Sequence, residues 1–536
     1  MSHVTARGVR RFFQYAVLYA LLLVTAIGAS DLLSRAFGVD YEQWQDPDAL
    51  LARSLAFVIV GGAVSAALLW GTRGSHRRDP AEARSVLFTI YLTLAALTGA
   101  IAFASATQEL VSALVGDGEL RPDALAAVLV WGAFWLFHRY WARRALDARR
   151  DTPHLLLGSL YGLAFVAAGL TQLLGAALDV FLRPDVIGHR LGGIGTGAGL
   201  LVAGGIVWGV YWLASGIRLP RRTFWLVYVL PFGVGGGLVL WLVAASRLLW
   251  SVLVWFLGDR LGAPAAQHFD SAAVEIAAVL VGVLLWWYHR SILGRVGRSE
   301  PRRTYEYLVS GIALVAAALG VGTVIVALIE SATPGVDVGM TVVNTLLAAV
   351  TLLVVGVPVW WVFWRRIQSA TAADPQPEIA SLSRRIYLVL LFGLAAVAAV
   401  IALISVAMSF FGDLVDGVLG AATLRAMRYG LGTIVAAGAV AVYHWAVFRQ
   451  DRSAAEAAPG RTGPRSVLLV APDYADGRRL VAEATGADVR LLPRVDLAPS
   501  GWDVDALVAA LEGHDGEDLV VLVGPDGPRV VPVRRG

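Results

Sequence analysis

Over the first 450 positions, apolar residues run in stretches of twenty and more, separated by short polar loops. A bilayer's hydrocarbon core takes about 20 apolar residues of helix. Twelve runs reach that length, near 11–35, 48–71, 84–116, 123–146, 153–182, 192–214, 221–258, 268–292, 302–332, 338–367, 384–415 and 421–450. The first, from Phe12 on, is longer than the apolar core of a signal peptide, and no small-residue cleavage site follows it. It reads as the first transmembrane helix. Several odd-numbered runs exceed one membrane thickness. The tail of 84–116 and the end of 221–258, interrupted by Arg247, are expected to bend along the outer interface.

The runs pair into hairpins near 10–71, 84–146, 153–214, 221–292, 302–367 and 384–450. Odd helices open with arginine and an aromatic residue, as in Arg10-Arg11-Phe12, Arg302-Arg303-Thr304-Tyr305 and Arg384-Arg385-Ile386-Tyr387. Even helices close as Trp-x-x-(aromatic or His)-Arg. The instances are Trp135 with His138-Arg139, Trp286 with His289-Arg290, Trp361 with Trp364-Arg365, and Trp445 with Phe448-Arg449. The first and third hairpins keep only remnants, Trp70 with Arg73 and Trp212 with Arg218. The period is roughly 70–80 residues, a repeat by self-similarity. Each unit holds two spans, so the repeats are parallel rather than inverted.

Loop charges orient the hairpins. Arginines gather between even and odd helices, for example Arg77, Arg78, Arg143, Arg144, Arg221, Arg222, Arg302, Arg303, Arg365, Arg366, Arg384 and Arg385. The opposite loops hold Asp46, Asp48, Asp117, Glu119, Asp123, Asp259, Asp270, Asp413 and Asp416, with Arg35, Arg260 and Arg425 against the trend. The positive-inside rule then places both termini in the cytoplasm.

Beyond Arg449 the pattern becomes that of a soluble domain. Residues 451–465 read as an Ala/Pro/Gly linker. Strands are expected at Ser466–Ala471, Asp488–Leu492, Asp518–Val523 and Arg529–Val533, the last two joined by a turn at Gly524–Gly527. Helices are expected at Asp476–Thr485 and Asp503–Glu512, with Asp503 as N-cap. The fold class is therefore an all-α polytopic membrane protein of about 12 transmembrane helices in six hairpins, followed by a small cytoplasmic α/β domain at 466–536.

Composition agrees: 57% of residues are hydrophobic and 16% charged, where a soluble domain carries about a quarter charged. The chain has no cysteine, which excludes disulfides, thiolate catalysis and cysteine-bound metal. It has no lysine, which excludes Schiff-base chemistry and a P-loop lysine. The sequence pI near 9.4 comes from arginines in loops between spans, so no nucleic-acid partner is expected.

Candidate chemistry is sparse. Polar and charged residues within spans are costly and usually functional. Glu275, Asn344, Glu306 and Arg247 qualify, and each lies toward a helix end. Glu275 reads as a headgroup-level residue, or as a partner of Arg425 or Arg428. His138, His289 and His444 sit near the ends of even helices. They could bind haem or metal, but the slot also takes Trp364 and Phe448, so interfacial anchoring fits better. The anchors are then Trp135, His138, Arg139, Trp286, His289, Arg290, Trp361, Trp364, Arg365, Trp445 and Arg449. Gly195 and Gly199, and Gly233 and Gly237 beside Pro231, have small-xxx-small spacing. That spacing argues for helix packing; a broken helix lining a cavity is the functional alternative. In the C-terminal domain the turn Pro472–Gly477 lies where α/β folds bind ligands, yet it carries no glycine-rich fingerprint.

Hairpins that open Arg384-Arg385-Ile386-Tyr387 and close Pro358, Trp360-Trp361, Trp364-Arg365-Arg366 resemble an uncharacterised bacterial membrane family, a domain of unknown function repeated along residues 10–450. The closest matches to that pattern are 302–366 and 384–449; the first and third hairpins depart from it. The resemblance implies no activity and no site residue. The function expected is a non-enzymatic membrane scaffold or sensor without cofactor, its cytoplasmic domain binding a partner or ligand. The alternative is a transporter or channel for a neutral or lipid-like solute near spans six and seven. The lipid bilayer is the expected surrounding; a protein partner or a second copy of the chain is the expected contact.

Overall fold

The computed structural model describes residues 2–39, 46–182, 190–260, 262–294, 299–335, 340–457, 463–474, 476–496, 501–524 and 527–533. It divides into two compact units at Ala446 and Val447.

The first unit is helical. α1 spans Ser2–Ala36, α2 Pro47–Ala56 and α3 Gly62–Arg78, with α4 a single turn at Pro80–Ala83. α5 covers Val86–Gly116, α6 Pro122–Ala145, α7 Ala148–Leu182, α8 Arg190–Trp208 and α9 Thr223–Val227. α10 covers Gly236–Leu257, α11 Ala265–His268, α12 Ala272–Ile292, α13 Glu300–Ala332 and α14 Val342–Ala373. α15 covers Pro375–Ala380, α16 Leu382–Val415 and α17 Ala421–Ala457. Wider π turns at Phe57–Gly61, Gly209–Leu213 and Tyr228–Gly235 join or extend helices without ending the span. Among the described residues, eleven stretches are helical, long and apolar enough to cross a membrane. The chain is thus a multi-pass membrane protein by length and composition. The fourth predicted run forms α6 but is not among the eleven; it carries His138, Arg139, Arg143 and Arg144 in its last two turns. The long tails of α5 and α10 continue their helices unbroken to Gly116 and Leu257.

Local chemistry starts these helices where they start. Asp46 precedes Pro47 and accepts from the Ala49 amide, while Ser85 and Thr341 accept from the amides three residues on. Along α5 the buried positions are Phe88, Tyr91, Leu92, Ala95, Ala96 and Gly99, an i, i+3, i+4 stripe of shrinking side chains. Small residues on that stripe let α6 and α8 approach closely. α7 packs on α8, α10 on α12, and α13 on α14.

The second unit holds a four-stranded sheet. β1 is Ser466–Ala471, β2 Asp488–Pro493, β3 Asp518–Gly524 and β4 Gly527–Val533. The order is β2-β1-β3-β4, with β1 parallel to β2 and β3, and β4 antiparallel. α18 (Gly477–Thr485) and α19 (Val504–Ala510) pack on each other. Their Val481, Leu507 and the following Leu511 join Val467, Leu469, Val489, Leu519 and Val521 in one core. Asp503 caps α19 through the amides of Asp505 and Ala506. Residues 525–526 of the expected turn and 458–462 of the expected linker lie outside the described residues. Residues 451–457 are helical, the end of α17, rather than linker. Arg452, Ser453 and the alanines after it are adequate helix formers, and the prolines and glycines come only later.

Candidate functional site

At the arginine-rich helix ends, the indole N–H of Trp135 donates to the Tyr211 hydroxyl at 3.0 Å, 76 residues away. Trp212 repeats this on Tyr288 at 3.0 Å, 76 residues away, and Trp364 on Tyr443 at 2.7 Å, 79 residues away. Other polar contacts keep similar separations. Arg384 reaches Tyr307 at 3.1 Å across 77 residues, Ser310 meets Tyr387 at 3.1 Å across 77, and Tyr19 meets Thr98 at 2.8 Å across 79.

The aromatic ends therefore divide. Trp361, Arg365, Trp445, Arg290 and Arg449 are exposed and Trp286 is half-buried. Trp135, His138, Arg139, His289 and Trp364 are buried among helices. The proposed alignment of Trp445 and Phe448 with Trp286 and His289 also shifts. His444 is the buried residue, and its Nδ1–H donates to Val440 O at 2.8 Å, as His138 does to Phe134 and His289 to Leu285. That bond fixes the tautomer and leaves Nε2 as an acceptor. In His138 it accepts from Tyr91 at 3.1 Å. Among the described residues, no three groups gather as a metal site would need.

The most connected buried network went unread in the sequence. His154 Nδ1 meets Asp151 at 3.0 Å, and its Nε2 meets the Tyr211 hydroxyl at 3.0 Å. Tyr211 also accepts from Trp135, and Arg139 lies 3.4 Å from Asp151. The signal was Asp151-x-x-His154 at the start of a helix. Every polar atom of His154 and Tyr211 is occupied, and both side chains are fully buried. Such a set locks three helices together.

The two glycine pairs are packing sites on different partners. A Cβ on Gly195 would lie 2.5 Å from Ser112 O, and one on Gly199 2.4 Å from Gln108 O, both on α5. On Gly233 it would meet the His289 ring at 2.3 Å, and on Gly237 the Trp286 amide at 2.6 Å, both on α12. Pro231 is exposed within the π turn, which absorbs its missing N–H without unwinding. Spans six and seven therefore do not share one cavity at these residues.

Glu275 lines a cleft of about 730 Å³ between α10, α12 and α14, and Asn344 is not among its lining residues. Glu275 accepts from Arg247 Nε at 3.1 Å and Ser271 at 3.0 Å. Arg247 is its partner, rather than Arg425 or Arg428, because α10 and α12 are neighbours; Arg428 pairs with Glu330 at 2.8 Å. The second oxygen of Glu275 is buried without a hydrogen bond. Asn344 stands beside the cleft and holds Asp259 from both sides. Its Oδ1 accepts the Asp259 amide at 3.0 Å and its Nδ2 donates to the Asp259 carbonyl at 2.9 Å. It fastens the end of α10 to the start of α14.

In the α/β unit, the end of β1 between β2 and β3 is where a ligand would sit. Trp502 fills it, donating to Pro472 O at 3.2 Å and packing within 2.4 Å of where a Gly477 Cβ would stand.

One further pair of contacts links two distant parts of the chain. Arg11 Nε meets Glu82 at 2.7 Å, and Arg303 Nε meets Glu378 at 2.9 Å. Both carboxylates are buried on single-turn helices opened by Asp-Pro, at Asp79-Pro80 and Asp374-Pro375. Near them Tyr15 stacks on Tyr91 with ring centroids 5.6 Å apart, as Tyr307 lies 4.9 Å from Tyr387. No curated protein and no solved structure matches the chain. One family model matches it in two places, beginning at these same arginines. The first hairpin, which looked divergent, lies inside a match, while the third and fourth lie largely between the two. The chain carries the domain of unknown function DUF5671 twice, at residues 11–133 and 303–439.

Proposed function

We propose that the protein is a non-catalytic scaffold of the bacterial inner membrane. Twelve spans would form six parallel hairpins with both termini cytoplasmic, and the C-terminal α/β unit would bind a protein partner. The observation that carries this reading is the use made of buried polar groups. Trp135, Trp212, Trp364 and Arg384 each spend a donor on a residue 76 to 79 positions away. An interior built of cross-links between successive hairpins suits a rigid frame. The separate closure of Gly199 on α5 and Gly237 on α12 weighs against a solute path there.

For the α/β unit, support comes from the sheet face turned away from α18 and α19, which is half-buried to exposed among the described residues. Leu468, Val470, Val520 and Leu522 lie opposite the helix-packed side, and Leu522 and Leu492 are 40% and 47% exposed. The test is affinity purification of the full chain from native membranes beside a chain ending at residue 465. A partner held by the first and lost by the second supports the scaffold. If both come out alone and the shortened chain replaces the full one in the cell without effect, the reading fails.

A further inference from the structure

The ends of α12, α13 and α14 enclose a cleft of about 680 Å³. Three guanidinium groups line it, those of Arg290, Arg302 and Arg366. Its carboxylate, Glu306, has Arg302 3.5 Å away. Arg290 lies with its guanidinium carbon 5.5 Å from the Trp286 ring and 5.4 Å from the Tyr305 ring, and Arg366 5.2 Å from Phe363. Aromatic faces thus hold two cations while their N–H forks remain available. Neither has a carboxylate partner among the described residues. Tyr305, only 5% exposed, also lines the cleft. Its hydroxyl has the Trp286 indole near it but makes no hydrogen bond of normal geometry. Among the described residues, the proton of that hydroxyl has no acceptor. Ser299 begins α13 without capping it, and its side chain faces the same cleft.

Orienting a membrane protein needs arginines in loops, but it does not need their guanidinium groups to converge around a buried hydroxyl. Convergent Arg forks, a hydroxyl donor and an uncapped helix start are the parts that bind phosphate oxygens. We propose that this cleft binds a phosphate-bearing group, from an anionic phospholipid headgroup or from free phosphate. Trp287, 61% exposed at the rim, offers an apolar edge to an acyl chain.

The test uses the full chain in nanodiscs of phosphatidylcholine alone, of phosphatidylcholine with phosphatidylglycerol, or of phosphatidylcholine with inorganic phosphate added. Melting temperature and lipid retention by native mass spectrometry are read. Arg290→Gln with Arg366→Gln removes two forks; Arg78→Gln with Arg385→Gln removes two exposed arginines outside the cleft. A melting gain and retained phosphatidylglycerol, weakened about ten-fold in the cleft variant and kept in the control, assign a lipid headgroup. The same pattern with inorganic phosphate assigns a soluble phosphate. If neither probe raises the melting temperature, or if the cleft variant responds like the parent, the proposal is wrong. Should the double variant lose its helical circular dichroism, Arg366→Gln alone takes its place, with the same outcomes.

Discussion

Arg303 and Glu378 meet at 2.9 Å across 75 residues, and Arg11 and Glu82 repeat the contact at 2.7 Å across 71. In each copy of the domain, the loop after the hairpin folds back and clasps the arginine that opened it. Glu378 is 1% exposed and Arg303 is mostly buried, so this copy of the clasp is sheltered from solvent screening. Among the described residues, Glu378→Ala leaves Arg303 its contact with the more exposed Glu300 at 3.1 Å. The cost expected is about 1–3 kcal/mol, the range for a lost hydrogen bond to a charged group. Reversible unfolding followed by circular dichroism measures it, and a change within error would deny the clasp a structural role.

The first copy of the clasp predicts a pH dependence. The hydrogen bond from Arg11 holds the Glu82 carboxyl below its ordinary value, although burial pushes the other way. A carboxylate with a lowered folded pKa stabilises above its unfolded pKa, and the contribution fades as pH falls through the folded one. The melting temperature of the parent should exceed that of Glu82→Gln at neutral pH, and the two should converge in acid. A gap that stays constant from neutral pH into acid would rule out the carboxylate as its source.

Much of this was legible in the sequence and some was not, for reasons that lie in particular residues. The spans showed because twenty apolar residues leave no other fold in lipid, and Asp503 showed because a cap has a fixed spacing. Which side of an apolar helix faces inward did not show. Trp361 and Trp364 are chemically alike, yet one is 53% exposed and the other 3%. When all faces are apolar, amphipathic periodicity cannot tell lipid from protein. Glu82 and Glu378 were passed over because they sit in loops, although Asp-Pro followed by Glu stands in both. The partner of Glu275 depended on which helices are neighbours, which no local pattern contains.

Glycine positions give a contrast within one membrane. A Cβ added at Gly237 would stand 2.6 Å from the Trp286 backbone nitrogen, where a side chain has nothing soft to displace. A Cβ added at Gly205 on α8 would meet nothing within 4 Å. Gly237→Leu should abolish the folded protein or lower its stability by about 1–3 kcal/mol or more, as overpacking does. Gly205→Leu should fold and melt as the parent does. Equal melting temperatures for the two variants would contradict the assigned helix faces.

Asn344 tests the join between α10 and α14. Replacing it by alanine removes both hydrogen bonds to the Asp259 backbone, at a cost of about 0.5–1.5 kcal/mol for each. Asn344→Asp keeps the acceptor and loses the donor, so it should fall between alanine and the parent at neutral pH. The order of the three melting temperatures decides it. If aspartate proves as harmful as alanine, the two-sided grip on Asp259 is not what holds the helix ends.

Tyr211 and Tyr443 are the last pair to separate. Each accepts from a tryptophan, at 3.0 Å from Trp135 and 2.7 Å from Trp364. Tyr211 also reaches His154 at 3.0 Å and is fully buried, whereas Tyr443 is 42% exposed. Tyr211→Phe strands an indole N–H and an imidazole nitrogen together; Tyr443→Phe strands one indole N–H. At about 1–3 kcal/mol per buried group without a partner, Tyr211→Phe should cost roughly twice as much. The double variant Tyr211→Phe with His154→Phe should recover part of the loss, because the imidazole is then no longer present to be left unpaired. Parallel unfolding curves of the three variants give both numbers. A Tyr443→Phe cost equal to that of Tyr211→Phe would mean that His154 draws nothing from this contact.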